Sequence, residues 1–413
     1  MVRRAIFWLH LIAGVCVGFV VLIMSVTGTV LTYERQLIAW TTSHLRSAVP
    51  ATGVAPMTLE SLLEHASAAR PGLVPAGITV NSEVDAPVTI LAEPSPVFVD
   101  AYSGQELGER RGAALRTFLA TMRSWHRWLG AEGENRAAAR SITGWSNLLF
   151  LFIIVTGLYL WVPRTFRWLQ VRQVVWFKRA YGTSKARDFN WHHVIGIWAA
   201  VPLFVIVLGA VPMSFPWAND ALYRVAGEAP PARAGAGTPG GARVRPSVPS
   251  LEGLDAAVAR ARAESPEWRT LSVRFPRRAD DPLAVTIDTG NGGQPQRRAT
   301  LTVTRSGAVV SREGFADQPR GRQLRSLLRF AHTGELFGIG GQAVAGLATA
   351  GASVMVWTGL ALSWRRLAAW RARRRERGSF TAIMTDLHEV YENVRTAKIN
   401  AVSAPSDATL PKV

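Results

Sequence analysis

The sequence contains little cysteine: Cys16 is the one such residue in 413. A single cysteine cannot form a disulfide within the chain. Its isolation also excludes covalent c-type haem attachment through Cys-x-x-Cys-His, and iron–sulfur clusters that several thiolates hold. A redox cofactor of this chain would have to be bound by other side chains.

Four stretches lack Asp, Glu, Lys and Arg altogether: Ala5–Tyr33, Ser141–Pro163, Phe189–Asn219 and Leu336–Trp364. Each is longer than the ~20 mostly apolar residues that a helix needs to cross a bilayer. The pattern predicts an α-helical membrane protein with four spans and excludes a wholly soluble enzyme. We expect the first stretch to be retained as a span, because it is too long for a signal peptide and ends without a small-residue cleavage site.

Acidic residues are scarce beside basic ones, 29 against 47, which gives a net charge of +18. The basic residues gather before the first span, between the second and third, and after the fourth. These places share one side of a four-span protein, and the positive-inside rule predicts that this side, with both termini, is cytoplasmic. We interpret the basic runs as topology anchors and lipid contacts, and expect no nucleic-acid partner.

The two halves of the chain resemble each other. Trp8-Leu9-His10 opens the first span and Trp191-His192-His193 the third, while Thr156-Gly157-Leu158 ends the second and Thr358-Gly359-Leu360 the fourth. Both halves point the same way. The pattern therefore predicts two parallel span–domain–span repeats.

The segments between the paired spans are predicted to be small α+β domains on the outer side. Helices are expected at Thr58–Arg70 and Leu254–Arg262, and a flexible linker at Gly227–Ser250. The expected strands are Ile78–Val80, Val88–Leu91 and Val97–Asp100 in the first domain, and Leu271–Phe275, Leu283–Asp288 and Leu301–Thr304 in the second. The tail is expected to form one short helix, Thr381–Val394, before a disordered end.

These features give the expected order of segments along the chain. It is the N-terminus and first span at 1–33, outer domain at 34–112, interfacial helix at 113–140, second span at 141–163, basic loop at 164–188, third span at 189–219, outer segment and linker at 220–250, second outer domain at 251–320, interfacial helix at 321–335, fourth span at 336–364 and tail at 365–413.

Four of the eight histidines fall at equivalent positions of the two halves. His10 and His193 lie at the cytoplasmic ends of the first and third spans, and His126 and His332 lie in apolar helical stretches before the second and fourth. Imidazole is a strong axial ligand of haem iron. The pattern predicts two bis-histidine haem sites at two depths, His10 with His193 and His126 with His332.

Several alternatives remain open at this point. His192 competes with His193 as the ligand, and a single histidine beside a tryptophan is often a membrane-interface residue without a cofactor. Arg127 and Arg329 are candidates to bind the anionic haem propionates. We expect the remaining histidines, His44, His65 and His388, to be exposed.

The span ends, the outer strand–turn segments Val97–Gly108 and Leu301–Gly314, and their order together resemble the PepSY-associated transmembrane family of bacteria over residues 1–366. Members are often labelled iron-regulated membrane proteins and include inner-membrane ferric-siderophore reductases. The resemblance implies two periplasmic PepSY-like domains, two haem b groups and the ligands His10, His126, His193 and His332. The tail after Trp364 has no nucleotide-binding pattern, unlike members that carry a cytoplasmic flavoprotein module.

The resemblance and the histidines together favour an inner-membrane electron-transfer protein that reduces a periplasmic ferric siderophore or another ferric chelate. The electron donor is then expected to be a membrane quinol or a separate reductase, because neither the basic loop nor the tail is large enough to fold around a nucleotide cofactor. One alternative is a membrane protein that binds a peptide or a peptidase through its outer domains, with a regulatory role and without haem. Another is a small-molecule transporter, which the lack of charge within the spans disfavours.

Overall fold

The computed structural model describes residues 1–51, 53–93, 95–108, 112–163, 167–231, 251–276, 278 and 280–402. The predicted flexible linker, Gly227–Ser250, lies outside the described residues from 232 on, and the end predicted to be disordered after Val394 lies outside them from 403 on, while residues 395–402 are helical. The helices are α1 (Val2–Thr32), α2 (Glu34–Thr42), α3 (Leu59–Ala69), α4 (Gly112–Trp128), α5 (Asn135–Trp161), α6 (Trp168–Val175), α7 (Ser184–Ser214), α8 (Pro216–Val225), α9 (Leu254–Glu264), α10 (Arg320–His332) and α11 (Gly338–Val402). The strands are β1 (Pro75–Asn81), β2 (Val88–Ala92), β3 (Val97–Val99), β4 (Thr270–Arg274), β5 (Leu283–Asp288), β6 (Arg298–Val303) and β7 (Val309–Gly314).

Four of the described helices are long and apolar enough to cross a membrane, as the sequence predicts. They are α1, α5, α7 and the first part of α11. α1 packs against α5 and α11, and α7 packs against the same two helices, so the four form a bundle. Ala199 of α7 and Ala348 and Ala352 of α11 share one buried cluster, where small side chains let helix backbones approach closely.

The helix boundaries differ from the prediction in two places. The expected interfacial helix 113–140 is interrupted, because Leu129 and Gly130 adopt φ values of 52° and 77° after α4. Such left-handed residues end a helix, so α5 begins separately at Asn135. A separate tail helix is also absent from the described residues: α11 continues unbroken to Val402, through a segment rich in the strong helix formers Ala and Arg.

The outer segments form one antiparallel sheet in the order β3-β2-β1-β4-β5-β6-β7, where the sequence predicts two separate domains. β1 of the first segment pairs with β4 of the second, from Gly77 opposite Arg274 to Asn81 opposite Thr270. This pairing satisfies two strand edges whose backbone groups would otherwise lack partners. β7 has no sequence signal, because five successive residues of it are exposed and hydrophobic alternation is missing.

α3 and α9 share one core with this sheet and cap each other. Leu62 of α3 and Leu254 of α9 are fully buried there. The carboxylate of Asp255 accepts the backbone N–H of Leu59 at 2.8 Å and of Glu60 at 3.2 Å, and Glu60 accepts that of Leu254 at 3.1 Å. A carboxylate stabilises a helix N-terminus by satisfying free N–H groups there. The two outer segments therefore fold as one unit.

A cation–π contact attaches the sheet to one end of the bundle, where an ion pair also joins α2 to the start of α11. Glu335, just before α11, is buried, pairs with Arg35 of α2 and accepts from the hydroxyl of Thr333 at 2.9 Å. Arg298 of β6 lies with its guanidinium carbon 5.7 Å from the ring centre of Phe330 in α10. We call this end of the bundle the sheet side, and the other end, where residues 162–183 join α5 to α7, the loop side.

Candidate functional site

Two of the predicted histidines lie together on the sheet side. His126 is in the last turn of α4, which packs on α1, and His332 ends α10, which packs on α7. Their ring centres are 6.2 Å apart and their planes are inclined by 56°. We call His126 and His332 the sheet-side pair.

Each ring of the sheet-side pair is attached to the span behind it through Nδ1. The Nδ1 of His126 lies 3.0 Å from the hydroxyl of Thr27 in α1. The Nδ1–H of His332 donates to the carbonyl of Ile206 in α7 at 2.7 Å. α10 can approach α7 this closely because residue 209 is glycine, where a Cβ would lie 2.7 Å from the carbonyl oxygen of Leu328.

The sheet-side pair is held in its neutral form. Burial, with a smaller effect of the neighbouring His332, lowers the pKa of His126 to about 4. Burial also lowers the pKa of His332. Neutral imidazole is the form that binds a metal, so both rings are available as ligands near neutral pH.

On the loop side, His10 and His192 make corresponding contacts. The Nδ1 of His10 in α1 lies 2.9 Å from the hydroxyl of Thr156 in α5. The Nδ1 of His192 in α7 lies 3.1 Å from the hydroxyl of Thr358 in α11. We call His10 and His192 the loop-side pair; His192 and His193 both lie close enough to His10 to interact with it electrostatically.

His193, the predicted partner of His10, has a different environment. Its Nδ1–H donates to the carbonyl of Phe189 in its own helix at 2.8 Å, and its ring stacks on that of Phe189 with centres 4.0 Å apart. It contacts no neighbouring span through a hydrogen bond among the described residues. The contact equivalent to that of His10, between Nδ1 and a threonine hydroxyl of a neighbouring span, is therefore made by His192, the alternative ligand, and not by His193.

A Thr-Gly dipeptide lies behind three of these rings. A Cβ at Gly28, Gly157 or Gly359 would lie 3.2 to 3.3 Å from the Cε1 of His126, His10 or His192, respectively. Each glycine follows the threonine whose hydroxyl contacts the same ring, so the dipeptide both binds the ring and leaves space for it. Sequence reasoning noted two of these dipeptides as span ends but gave them no role, and it missed Thr27-Gly28.

The candidate propionate ligands Arg127 and Arg329 lie near the sheet-side pair in a strongly basic region. Arg127 and Arg136 both approach the ring of Trp128, with guanidinium carbons 4.8 and 4.7 Å from its centre. Partial burial lowers the pKa of Arg127, and the positive charges of Arg140, Arg123 and Arg329 add to this effect. Within the described part of the chain, neither Arg127 nor Arg329 has a carboxylate partner.

The remaining histidines lie apart from both pairs. His44, His65 and His388 are exposed, which confirms the prediction for all three. No group of three or more His, Cys, Asp or Glu among the described residues is placed to hold a bare metal ion.

The arrangement of four spans, one outer sheet and two histidine pairs can be compared with known families. Residues 7–366 match the model of the PepSY-associated TM region. The chain belongs to this family. The match includes all four candidate spans, the sheet and both histidine pairs of this PepSY-associated protein, and confirms the family that the sequence resembles. No curated protein matches the chain.

Proposed function

We propose that this PepSY-associated protein binds two b-type haems and reduces ferric iron, carried by a siderophore or another chelate, on the sheet side. The spacing of His126 and His332 is the observation that carries the proposal. Metal–imidazole bonds are about 2.0–2.1 Å long, so the centres of two rings on opposite sides of one metal lie about 6 Å apart. The ring centres of the sheet-side pair are 6.2 Å apart, which fits this geometry.

The donor set also suits haem better than a bare ion. Within the described residues each pair provides two imidazoles, and no third His, Cys, Asp or Glu joins them. A porphyrin supplies four nitrogens of its own, so haem iron needs only axial ligands from the protein. The sheet-side pair would hold one haem, and His10 with His192 would hold the other.

The bound haems would supply one-electron redox chemistry. The chain's own residues hold two imidazoles on the sheet side and two on the loop side, each partly buried and bonded through Nδ1 to a neighbouring helix. Arg127 and Arg329 lie near the sheet-side pair without a carboxylate partner among the described residues, where they would bind propionates or an anionic chelate. Ferrous iron binds hard oxygen ligands more weakly than ferric iron, so reduction would release it from the chelate. The electrons would come from a membrane quinol or a separate reductase.

Basic residues support a cytoplasmic location for the loop side. Arg365 donates to Asp188 at 2.6 Å, and the guanidinium carbon of Arg366 lies 4.9 Å from the ring centre of Phe7. Both arginines belong to the basic run after the fourth span, and such runs stay in the cytoplasm. The proposed location is the bacterial inner membrane, with the sheet in the periplasm.

Matching contacts support the proposed parallel repeat. His10 with Thr156 corresponds to His192 with Thr358, which joins the two spans of each half in the same way. α4 packs on α1 as α10 packs on α7. The mutual caps of α3 and α9 relate the outer segments in the same manner.

The function can be tested with protein reconstituted in liposomes without oxygen. After reduction with a quinol analogue, addition of a ferric chelate should re-oxidise the b-type absorption bands and form Fe(II) in equal amount. A His126→Ala, His332→Ala variant should lose this reaction, whereas His65→Ala, which removes an exposed histidine, should keep it. Bands that stay reduced in the presence of a ferric chelate would contradict the proposed reaction. A colourless protein would favour the peptide-binding alternative.

A further inference from the structure

Three threonines in the spans use their hydroxyl protons in hydrogen bonds within their own helices. Each donates to the carbonyl four residues earlier: Thr27 to Ile23 at 2.7 Å, Thr156 to Phe152 at 2.8 Å and Thr358 to Val354 at 2.9 Å. A hydroxyl has one proton and two lone pairs. With the proton used in this way, the oxygen can only accept from the histidine ring.

The histidines that contact these hydroxyls must therefore carry their proton on Nδ1. His126, His10 and His192 each place Nδ1 within 3.1 Å of the threonine oxygen. The Nδ1 of His192 also lies 3.1 Å from the carbonyl oxygen of Met355, which can only accept and favours the same tautomer. The partner of the fourth histidine, His332, is the carbonyl of Ile206, which can only accept. A neutral imidazole with a proton on Nδ1 has a free lone pair on Nε2.

We propose that Thr27, Thr156 and Thr358 are positioning residues that fix the Nδ1–H tautomer and direct Nε2 of each ring toward iron. This inference rests on the proposed haem function. A partner that accepts the second N–H of a metal-bound histidine fixes the orientation of the ring and raises its basicity. A more basic imidazole stabilises ferric over ferrous iron, so each threonine also lowers the reduction potential of its own haem.

The glycine after each threonine also helps to position the histidine ring. A Cβ at Gly28 would lie 3.2 Å from the Cε1 of His126, and one at Gly157 would lie 3.2 Å from the Cε1 of His10. Contacts this short oblige a neighbour to move by a few tenths of an ångström, so alanine at either position would displace the ring from the hydroxyl. The Thr-Gly dipeptide thus specifies both the tautomer and the position of the ring.

The test replaces each threonine with valine, which keeps the shape and removes the hydroxyl. Thr29→Val is a matched control: the Thr29 hydroxyl lies in the same helix as Thr27 but donates to Ser25 and Thr349, not to a histidine. We expect Thr27→Val to weaken retention of the sheet-side haem by about 10- to 100-fold and to shift its midpoint potential to a more positive value. Thr156→Val and Thr358→Val should do the same to the loop-side haem, and Thr→Ser variants should restore wild-type behaviour.

Two outcomes would overturn the inference. One is that the valine variants keep both midpoint potentials, and the other is that Thr29→Val shifts them as much as Thr27→Val does. Nitrogen NMR of histidine-labelled, haem-free protein separates this failure from failure of the proposed function. If the wild-type protein binds no haem, the rings should still show the Nδ1–H tautomer. Thr27→Val and Thr156→Val should each lose it at one ring, whereas Thr358→Val leaves the carbonyl of Met355 as an acceptor for His192.

Discussion

The Nδ1 of His192 lies 3.1 Å from the hydroxyl of Thr358, the same contact that His10 makes with Thr156 at 2.9 Å. Two adjacent histidines in α7 are thereby distinguished. His192 is attached to a neighbouring span, whereas His193 bonds within its own helix. Because of this contact, we expect His192, and not His193, to bind iron with His10.

The first prediction follows from this distinction. His192→Ala should remove one of the two proposed haems, because it deletes a proposed iron ligand, whereas His193→Ala should leave both. Absorption spectra of the purified variants, with haem measured per protein, would show the difference. Loss of a haem from His193→Ala with both kept in His192→Ala would restore the pairing that the sequence favours.

The basic region beside the sheet-side pair gives a second prediction. Changing Arg127 and Arg329 to Gln should raise the KM for an anionic chelate such as ferric citrate several-fold, with little change in kcat, because the arginines attract the substrate. Arg260→Gln in α9, which alters an exposed arginine of the sheet unit, is the control. If the double variant instead loses haem, these arginines serve the propionates and not the substrate.

Asp100 provides a prediction about pH. Burial alone would raise its pKa, but N–H groups of Ala48, Tyr102 and Ser103 donate to it at 2.5, 2.8 and 2.9 Å and lower the pKa overall. A carboxyl with a lowered pKa contributes stability above its unfolded value, near 4, and loses it as the pH falls through the folded value.

Asp100→Asn should therefore lower the unfolding temperature at pH 7, by an amount that corresponds to about 1–3 kcal/mol. The difference between the variant and the wild type should shrink as the pH falls below the unfolded value and through the lowered pKa of the folded protein. Glu64→Gln, at an exposed position of α3, should have little effect at pH 7 or at acidic pH. An undiminished difference between Asp100→Asn and wild type at pH 3 would refute the assigned role of the carboxylate.

The junction between β1 and β4 can be tested through Gly77. A Cβ there would clash with the carbonyl oxygen of Val273, so Gly77→Ala must push the two strands apart. We expect a loss of about 1–3 kcal/mol in the stability of the sheet, measured by thermal unfolding and limited proteolysis. Gly108→Ala, where nothing lies within 4 Å of the added carbon, is the control. Equal effects would mean that the junction contributes little.

The sequence predicts the local features of the fold well. Charge-free stretches locate the four spans, and alternation locates six strands, because both signals depend on neighbouring residues. The pairing of β1 with β4 escapes prediction, since it joins Gly77 to a residue nearly two hundred positions away and leaves no local mark. The two adjacent histidines of α7 cannot be distinguished from sequence for a similar reason, because what separates them is a contact with another span.

The candidate site is predictable in outline for the same reason. Histidines at equivalent positions identify His10, His126 and His332 as candidates. The Thr-Gly dipeptides that contact His10 and His126 are not recognisable as their partners from sequence, and His332 has no such dipeptide. Thr27-Gly28 lies far from His126 in sequence, and the corresponding position in α7 offers the carbonyl of Ile206 instead of a hydroxyl. Only the packing of α4 on α1 and of α10 on α7 brings these groups together.

The most direct test of the account is a haem count on protein purified after expression with ample haem. The account predicts two non-covalent b-type haems per chain with low-spin spectra, one lost in His126→Ala, His332→Ala and the other lost in His10→Ala, His192→Ala. A purified wild-type protein without haem, or double variants that keep both haems, would contradict it.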